Sequence, residues 1–131
     1  SKFAITALKG GDLLIRGADE RLDFTHVDDT AMGIAQAAVS TNSANKIYNI
    51  TRSNEHTLTL LEAAQLMTKL TGQGNIHVKD RDMNFPSRGR LGIARAQQDF
   101  GYNPKIDVEQ GFTRYLTWLQ YSKFWRKRIY G

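Results

Sequence analysis

The sequence predicts a mixed α/β domain in which short strands alternate with four to five helices. Three observations predict it. Apolar runs of strand length, such as Leu13-Leu14-Ile15, lie between glycine-bearing turns. Other segments repeat their apolar residues at i, i+3, i+4 and i+7, the period of a helix with one buried face. Thr59 with Glu62 and Asp107 with Gln110 stand three residues apart ahead of two of those segments, the spacing of a helix N-cap.

In chain order, residues 3–8 read as the end of a helix stopped by Gly10-Gly11, and residues 13–15 as a buried strand. Residues 23–27 alternate, with Phe24 and His26 on one face and Thr25 and Val27 on the other. Asp28 or Asp29 is expected to cap the following helix, whose stripe Ala31, Ile34, Ala35 and Ala38 is small enough to lie close to a sheet or another helix. Residues 40–45 are polar loop, and 46–51 a strand carrying Ile47, Tyr48 and Ile50. The helix capped by Thr59 buries Leu60, Ala63, Ala64, Met67 and Leu70 and ends at Gly72. Asn75–Lys79 reads as a further strand, residues 80–92 as irregular, and 93–100 as a short helix ending at Gly101. A last helix follows Asp107, with Val108, Phe112, Tyr115, Leu116 and Leu119 on its inner face.

Composition excludes several classes of function. At 131 residues, 40% apolar and 24% charged, the chain can fold as one domain with a modest core. Without cysteine it has no disulfide, thiol nucleophile or thiolate metal site, and the composition leans to the cytoplasm. No apolar run approaches the roughly 20 residues that span a bilayer, so no membrane partner is expected. The start, Ser1-Lys2-Phe3, reads as a piece of something longer. Much of the +5 net charge sits in Lys123, Arg126, Lys127 and Arg128, which read as a solvated tail (121–131) behind a 1–120 domain rather than as a nucleic-acid face. That tail interleaves Phe124 and Trp125 with its cations, as nucleic-acid and membrane-surface segments do, while Trp125 packing back on the domain stays equally open.

Candidate chemistry is sparse. His26, His56 and His77 lack a second ligand at metal spacing, and His26 reads as a structural hydrogen-bonder. Asp28-Asp29 could be a catalytic pair, but a helix start explains adjacent carboxylates more simply. Gly72-Gln73-Gly74 fails as a dinucleotide fingerprint because it leaves a helix instead of entering one. Arg88, in Pro86-Ser87-Arg88-Gly89-Arg90, can close bidentately on phosphate, with solvated charge as the bland reading.

The stretch GADERLDFTHVDDTAMGIAQAA followed by IYNIT resembles the C-terminal half of the extended short-chain dehydrogenase/reductases, the NAD-dependent nucleotide-sugar epimerases and dehydratases. FPSRGRLGIARAQQDFGYNPKIDVEQGFTRYLTWL is similar to the closing pattern of that family, and the likeness covers residues 3–120. It implies a C-terminal fragment without the Rossmann core. The missing N-terminal domain would bind NAD, and a nucleotide sugar, a UDP-sugar above all, would sit at the interface. It further implies that Leu14 and Ile15 line the base pocket and that Arg88 holds the diphosphate. A second phosphate arginine is expected at position 22, where this chain has Leu22; Arg21 is its neighbour, and Phe24 matches the aromatic of that strand. Gly92 stands where the family commonly has aspartate. The family's catalytic tyrosine has a lysine four residues on, and no tyrosine here does. The chain alone is therefore expected to catalyse nothing and to bind no cofactor, and its uncovered apolar helix to favour a homodimer or other self-association. The alternatives are a non-catalytic nucleotide-sugar or protein-interaction module of the same descent, and a nucleic-acid binder using the basic tail.

Overall fold

In a computed structural model describing residues 2–53, 57–84, 86–87 and 89–131, helix α1 (Lys2–Leu8) ends where Gly10, at φ +66°, turns the chain into strand β1 (Asp12–Arg16). β1 pairs in parallel with β2 (Asn75–Lys79), in a register running from Asp12 opposite Asn75 to Arg16 opposite Lys79. Leu13 and Ile15 are 1% exposed, whereas Leu14 is 45% exposed. The apolar run is thus not buried throughout. A pleated sheet covered on one face only buries every second residue.

Helix α3 (Leu60–Thr71) lies in the crossover between the two strands. Its capping box forms: the Glu62 amide donates to Thr59 Oγ1 at 3.1 Å and the Thr59 amide to Glu62 Oε2 at 2.8 Å. Ala63, Ala64 and Met67 are buried along it, and Gly72, at φ +70°, closes it. Ala64 and Met67 join Ala4, Ala7, Leu8, Leu13, Ile15, Leu116 and Leu119 in the main core. The last two come from α5 (Val108–Tyr121), whose N-cap Asp107 accepts from the Gln110 amide at 2.8 Å.

Three local expectations are corrected. Residues 23–26 form no strand, and Val27 opens helix α2 (Val27–Val39). The cap is His26, whose Nδ1 accepts from the Asp28 amide at 3.2 Å. Asp29 is instead 6% exposed and binds the backbone of residues 105–106, because those distant amides compete for its carboxylate. Residues 46–51 form no strand either; among the described residues no strand edge lies beside them, and a ladder needs a neighbour. Tyr48 and Ile50 pack laterally onto a second small core of Ile93, Ala96 and Tyr102, which brings in α4 (Ala94–Phe100). Beyond α5, residues 123–130 form helix α6 (Lys123–Tyr130), with Ile129 buried and Trp125 partly packed on the main core, the packing that the sequence left open for Trp125.

Helix α2 is turned so that Asp29 and Gly33 face inward. An added Cβ on Gly33 would lie 2.6 Å from Ile50 Cγ2 and 2.8 Å from Tyr102 Cε2, so only glycine permits this approach. The stripe Ala31, Ile34, Ala35 and Ala38 therefore points outward, and Val27, Ile34, Val39 and Ile47 are all exposed. Six helices and one two-stranded parallel sheet make up the described fold.

Candidate functional site

The carboxyl ends of β1 and β2 place Arg16 and Lys79 side by side. Ligands of open α/β sheets bind beyond that edge, where loops leave the strands. Immediately after Arg16, Gly17 adopts φ +76°. A Cβ there would come within 2.9 Å of Glu20 Cγ and 3.2 Å of Arg81 Cβ. Glycine thus lets the loop after β1 close against the loop after β2. Glu20 joins the two: Oε1 accepts from Arg81 Nε at 2.6 Å, and Oε2 from Ser87 Oγ at 3.2 Å. Farther along the same loop, Arg90 Nε donates to Ser53 Oγ at 3.0 Å, and the Ser53 amide donates to Asp23 Oδ1 and Oδ2, both at 3.2 Å.

Between the loops lies a recess of about 270 Å³, with Arg16, Glu20, Arg81 and Asp82 on its polar walls and Leu22, Leu60 and Pro86 on its apolar ones. A guanidinium is permanently charged and offers a planar fork of donors, which suits it to carboxylate or phosphate. Glu20 fixes Arg81 in place; Arg16 has no carboxylate partner among the described residues. The arrangement can hold an anion at its rim and an apolar group deeper in.

Among the described residues, those expected to bind substrate are not brought together here. Arg21 is in the right loop, but its backbone bridges to Thr59 and its Nη1 donates to the Thr57 carbonyl, which commits the side chain to the run into α3. Its charge also helps to hold the Glu62 carboxyl below the usual range, after the Thr59 backbone and side-chain hydrogen bonds. Leu14 offers an outward surface on β1, while Ile15 is in the core and has almost no surface to offer. Phe24 meets Phe112 edge to face at 5.3 Å and lines a different recess, of about 650 Å³, between residues 24–28 and α5. Arg88 and His56 lie outside the described residues. Sequence reasoning passed over Arg16 and Glu20 and gave Arg81 no role; the legible signal was a basic residue at a strand end followed by glycine.

The larger recess also holds His26, Asp28 and Arg114. Asp28 Oδ2 lies 3.6 Å from Arg114 Nη1, so this ion pair ties the start of α2 to α5. His26 acts as a hydrogen-bonding cap here, in line with its structural reading. Among the described residues no cluster of three potential metal ligands occurs. Gly72 ends α3, and the Cβ missing from Gly74 would meet Leu13 Cδ1 at 3.0 Å, so these glycines serve helix closure and packing and do not fit a dinucleotide cradle.

No family model matches the chain. It is 26% identical over 121 residues to UDP-glucuronate 4-epimerase 2 of Arabidopsis thaliana, covering 82% of this chain and 28% of that protein. The UDP-glucose 4-epimerase of Thermotoga maritima, solved with UDP-glucose, superposes with a TM-score of 0.79 at 20% identity, over 91% of this chain and 38% of that one. A dTDP-glucose 4,6-dehydratase from Bacillus anthracis, solved with NAD, superposes with a TM-score of 0.80 at 21% identity, over 98% and 40%. The chain spans about 25% to 39% of the length of the curated relatives compared with it.

Proposed function

We propose that this chain, which aligns to the C-terminal portion of the NAD-dependent UDP-sugar epimerases and dehydratases (the extended short-chain dehydrogenase/reductases), holds the nucleoside diphosphate end of a nucleotide sugar. The observation that carries the reading is the recess at the carboxyl edge of the β1–β2 pair, lined by Arg16 from the end of β1 and by the Glu20-fixed Arg81 from the loop after β2. In this reading Arg88, next in sequence to the Ser87 that Glu20 anchors, would supply a further guanidinium for the diphosphate. Leu22, Leu60 and Pro86 supply apolar surface in the recess, and Leu14 is exposed on β1.

Such a grip is binding energy from a part of the substrate that does not react, used to position the sugar. The reacting centre lies elsewhere in this proposal. NAD would be held by an N-terminal domain, and the sugar hydroxyl would be oxidised there by hydride transfer to its nicotinamide. The outward apolar stripe of α2 and exposed Ile47 favour this reading over a free-standing binding module, because they leave a contiguous apolar helix face for such a domain to cover.

Isothermal titration of the chain with UDP-glucose, UDP-glucuronate and dTDP-glucose tests the proposal. Saturable binding of a nucleotide sugar, competed by the free nucleoside diphosphate and weakened at least roughly tenfold by Arg88→Ala or Arg81→Ala, is the expected result. An absence of binding by this chain and by a longer chain bearing the N-terminal domain would overturn it. Wild-type affinity in Arg88→Ala would remove Arg88 from the diphosphate contact.

A further inference from the structure

The whole of the net charge resides in one part of the fold. Residues 110–131 carry Arg114, Lys123, Arg126, Lys127 and Arg128 and no acidic side chain, which accounts for all of the +5. Most of that charge belongs to α6, and α6 is seated by its inner face: Ile129 is 8% exposed, and Trp125 packs on the main core. What the helix leaves outward is equally definite. Lys123, Lys127 and Tyr130 fall at i, i+4 and i+7 and share one side, with Phe124 next to them at 66% exposure. Among the described residues no carboxylate pairs with Lys123, Arg126 or Lys127.

Ring contacts connect Phe124, through the core-packed Trp125, to Trp118 of α5. Phe124 meets Trp125 at 5.3 Å, Trp125 meets Trp118 at 6.2 Å, and Trp118 stacks on Tyr115 at 5.9 Å, with Trp118 itself exposed. A solvated helix needs no such series of rings at its surface. A large apolar ring such as Phe124, held outward beside lysines, costs solvation free energy in water and regains it only when covered.

We propose that this outer face of α6, with the adjoining Trp118, docks on an anionic phospholipid bilayer. Its cations lie along one helix with exposed rings beside them, as in an interfacial helix that rests in the headgroup plane with its aromatic rings at the acyl boundary. Its lysines complement anionic headgroups, each contributing about 1 kcal/mol near the surface. A single-stranded nucleic acid is the less fitting occupant, because its binders combine a charged groove with ring platforms, and α6 offers an outward ridge. The chain does not cross the bilayer in this arrangement; no helix among the described residues is long and apolar enough to do so. The solvated tail expected from composition thus becomes a binding face once its charges are fixed on a packed helix.

Flotation of the chain with vesicles of phosphatidylcholine, alone or with phosphatidylglycerol, tests this at low and high salt, alongside titration with a single-stranded oligothymidylate. The expected result is flotation with the anionic vesicles only, lost at high salt, with a blue shift of tryptophan emission. Lys123→Glu combined with Lys127→Glu should lower the bound fraction at least roughly tenfold. Phe124→Ala, which keeps every charge, should lower it several-fold. Circular dichroism of each variant separates loss of the face from loss of the fold. Failure to float with anionic vesicles, flotation unchanged by Phe124→Ala in a folded protein, or preference for the oligonucleotide over the vesicles would each overturn the proposal.

Discussion

Asp29 and Ile106, 77 positions apart, are joined by a buried hydrogen bond of 2.9 Å from the Ile106 amide to Asp29 Oδ2. The other carboxylate oxygen accepts from the neighbouring Lys105 amide at 2.8 Å. One side chain on the first turn of α2 thereby fixes the backbone that leads into α5, beneath the Tyr102 core. A residue that reads as a helix cap is in fact a long-range clasp.

Replacing it should be costly. Asp29→Ala leaves two amides without a partner, one of them buried, at about 1–3 kcal/mol each. Urea unfolding should show a loss of about 2–4 kcal/mol, with Asp29→Asn intermediate because a carboxamide keeps only one acceptor oxygen. Stability within about 0.5 kcal/mol of wild type for Asp29→Ala would mean that the clasp does not form in solution.

Gly33 provides a test of opposite sign to helix propensity. Alanine inside a helix is normally favoured over glycine by about 1 kcal/mol. Here the added Cβ would enter the Ile50 and Tyr102 side chains at 2.6 to 2.9 Å, and overpacking costs about 1–3 kcal/mol. Gly33→Ala should therefore melt below wild type; a raised Tm would show that α2 is not seated on Tyr102.

Asp99, Lys46 and Tyr48 form a linked trio that predicts two limbs in a pH profile. Hydrogen bonds from Lys46 Nζ at 2.9 Å and Tyr48 Oη at 2.6 Å hold the Asp99 carboxyl below its ordinary 3.8. Its folded pKa is depressed, so its contribution is present above the unfolded value and disappears as the pH falls through the folded one. Burial, then the Asp99 hydrogen bond, pushes Tyr48 up to about 12. A raised pKa works the other way: the contribution is full below 10.0 and is lost as the pH rises to about 12. Urea midpoints should fall in both directions, and Tyr48→Phe should flatten the alkaline limb. An unchanged alkaline limb in that variant would exclude Tyr48 as its source.

The outward stripe of α2 predicts association. With Val27, Ile34, Val39 and Ile47 exposed, the isolated chain should sediment as a dimer or larger species at high concentration. Ile34→Glu with Ile47→Lys should return it to monomer without loss of helicity. A clean monomer for the unaltered chain at high concentration would contradict this.

Gly17 links backbone to binding. Alanine at φ +76° is strained, and its Cβ would press on Glu20 and Arg81. Gly17→Ala should weaken any nucleotide-sugar affinity about tenfold by displacing Arg81, a shift that titration calorimetry would resolve. Unaltered affinity would show that Arg81 is not part of the grip.

By itself the sequence determined whatever depends on neighbours within a few positions. Thr59 with Glu62 and Asp107 with Gln110 cap their helices as read, Gly72 and Gly101 end theirs, and Asn75–Lys79 is a strand. These are short-range hydrogen bonds and local dihedral preferences, so spacing along the chain suffices to find them. Only the tertiary structure decided what depends on distant partners. Asp29 turned from cap to clasp because the amides of residues 105 and 106 arrive beside it, and residues 46–51 lack a ladder because, among the described residues, no strand edge meets them. The pairing of Glu20 with Arg81 across the carboxyl edge of the sheet is of the same kind: it follows from the parallel register of β1 and β2, which places the loops after them side by side.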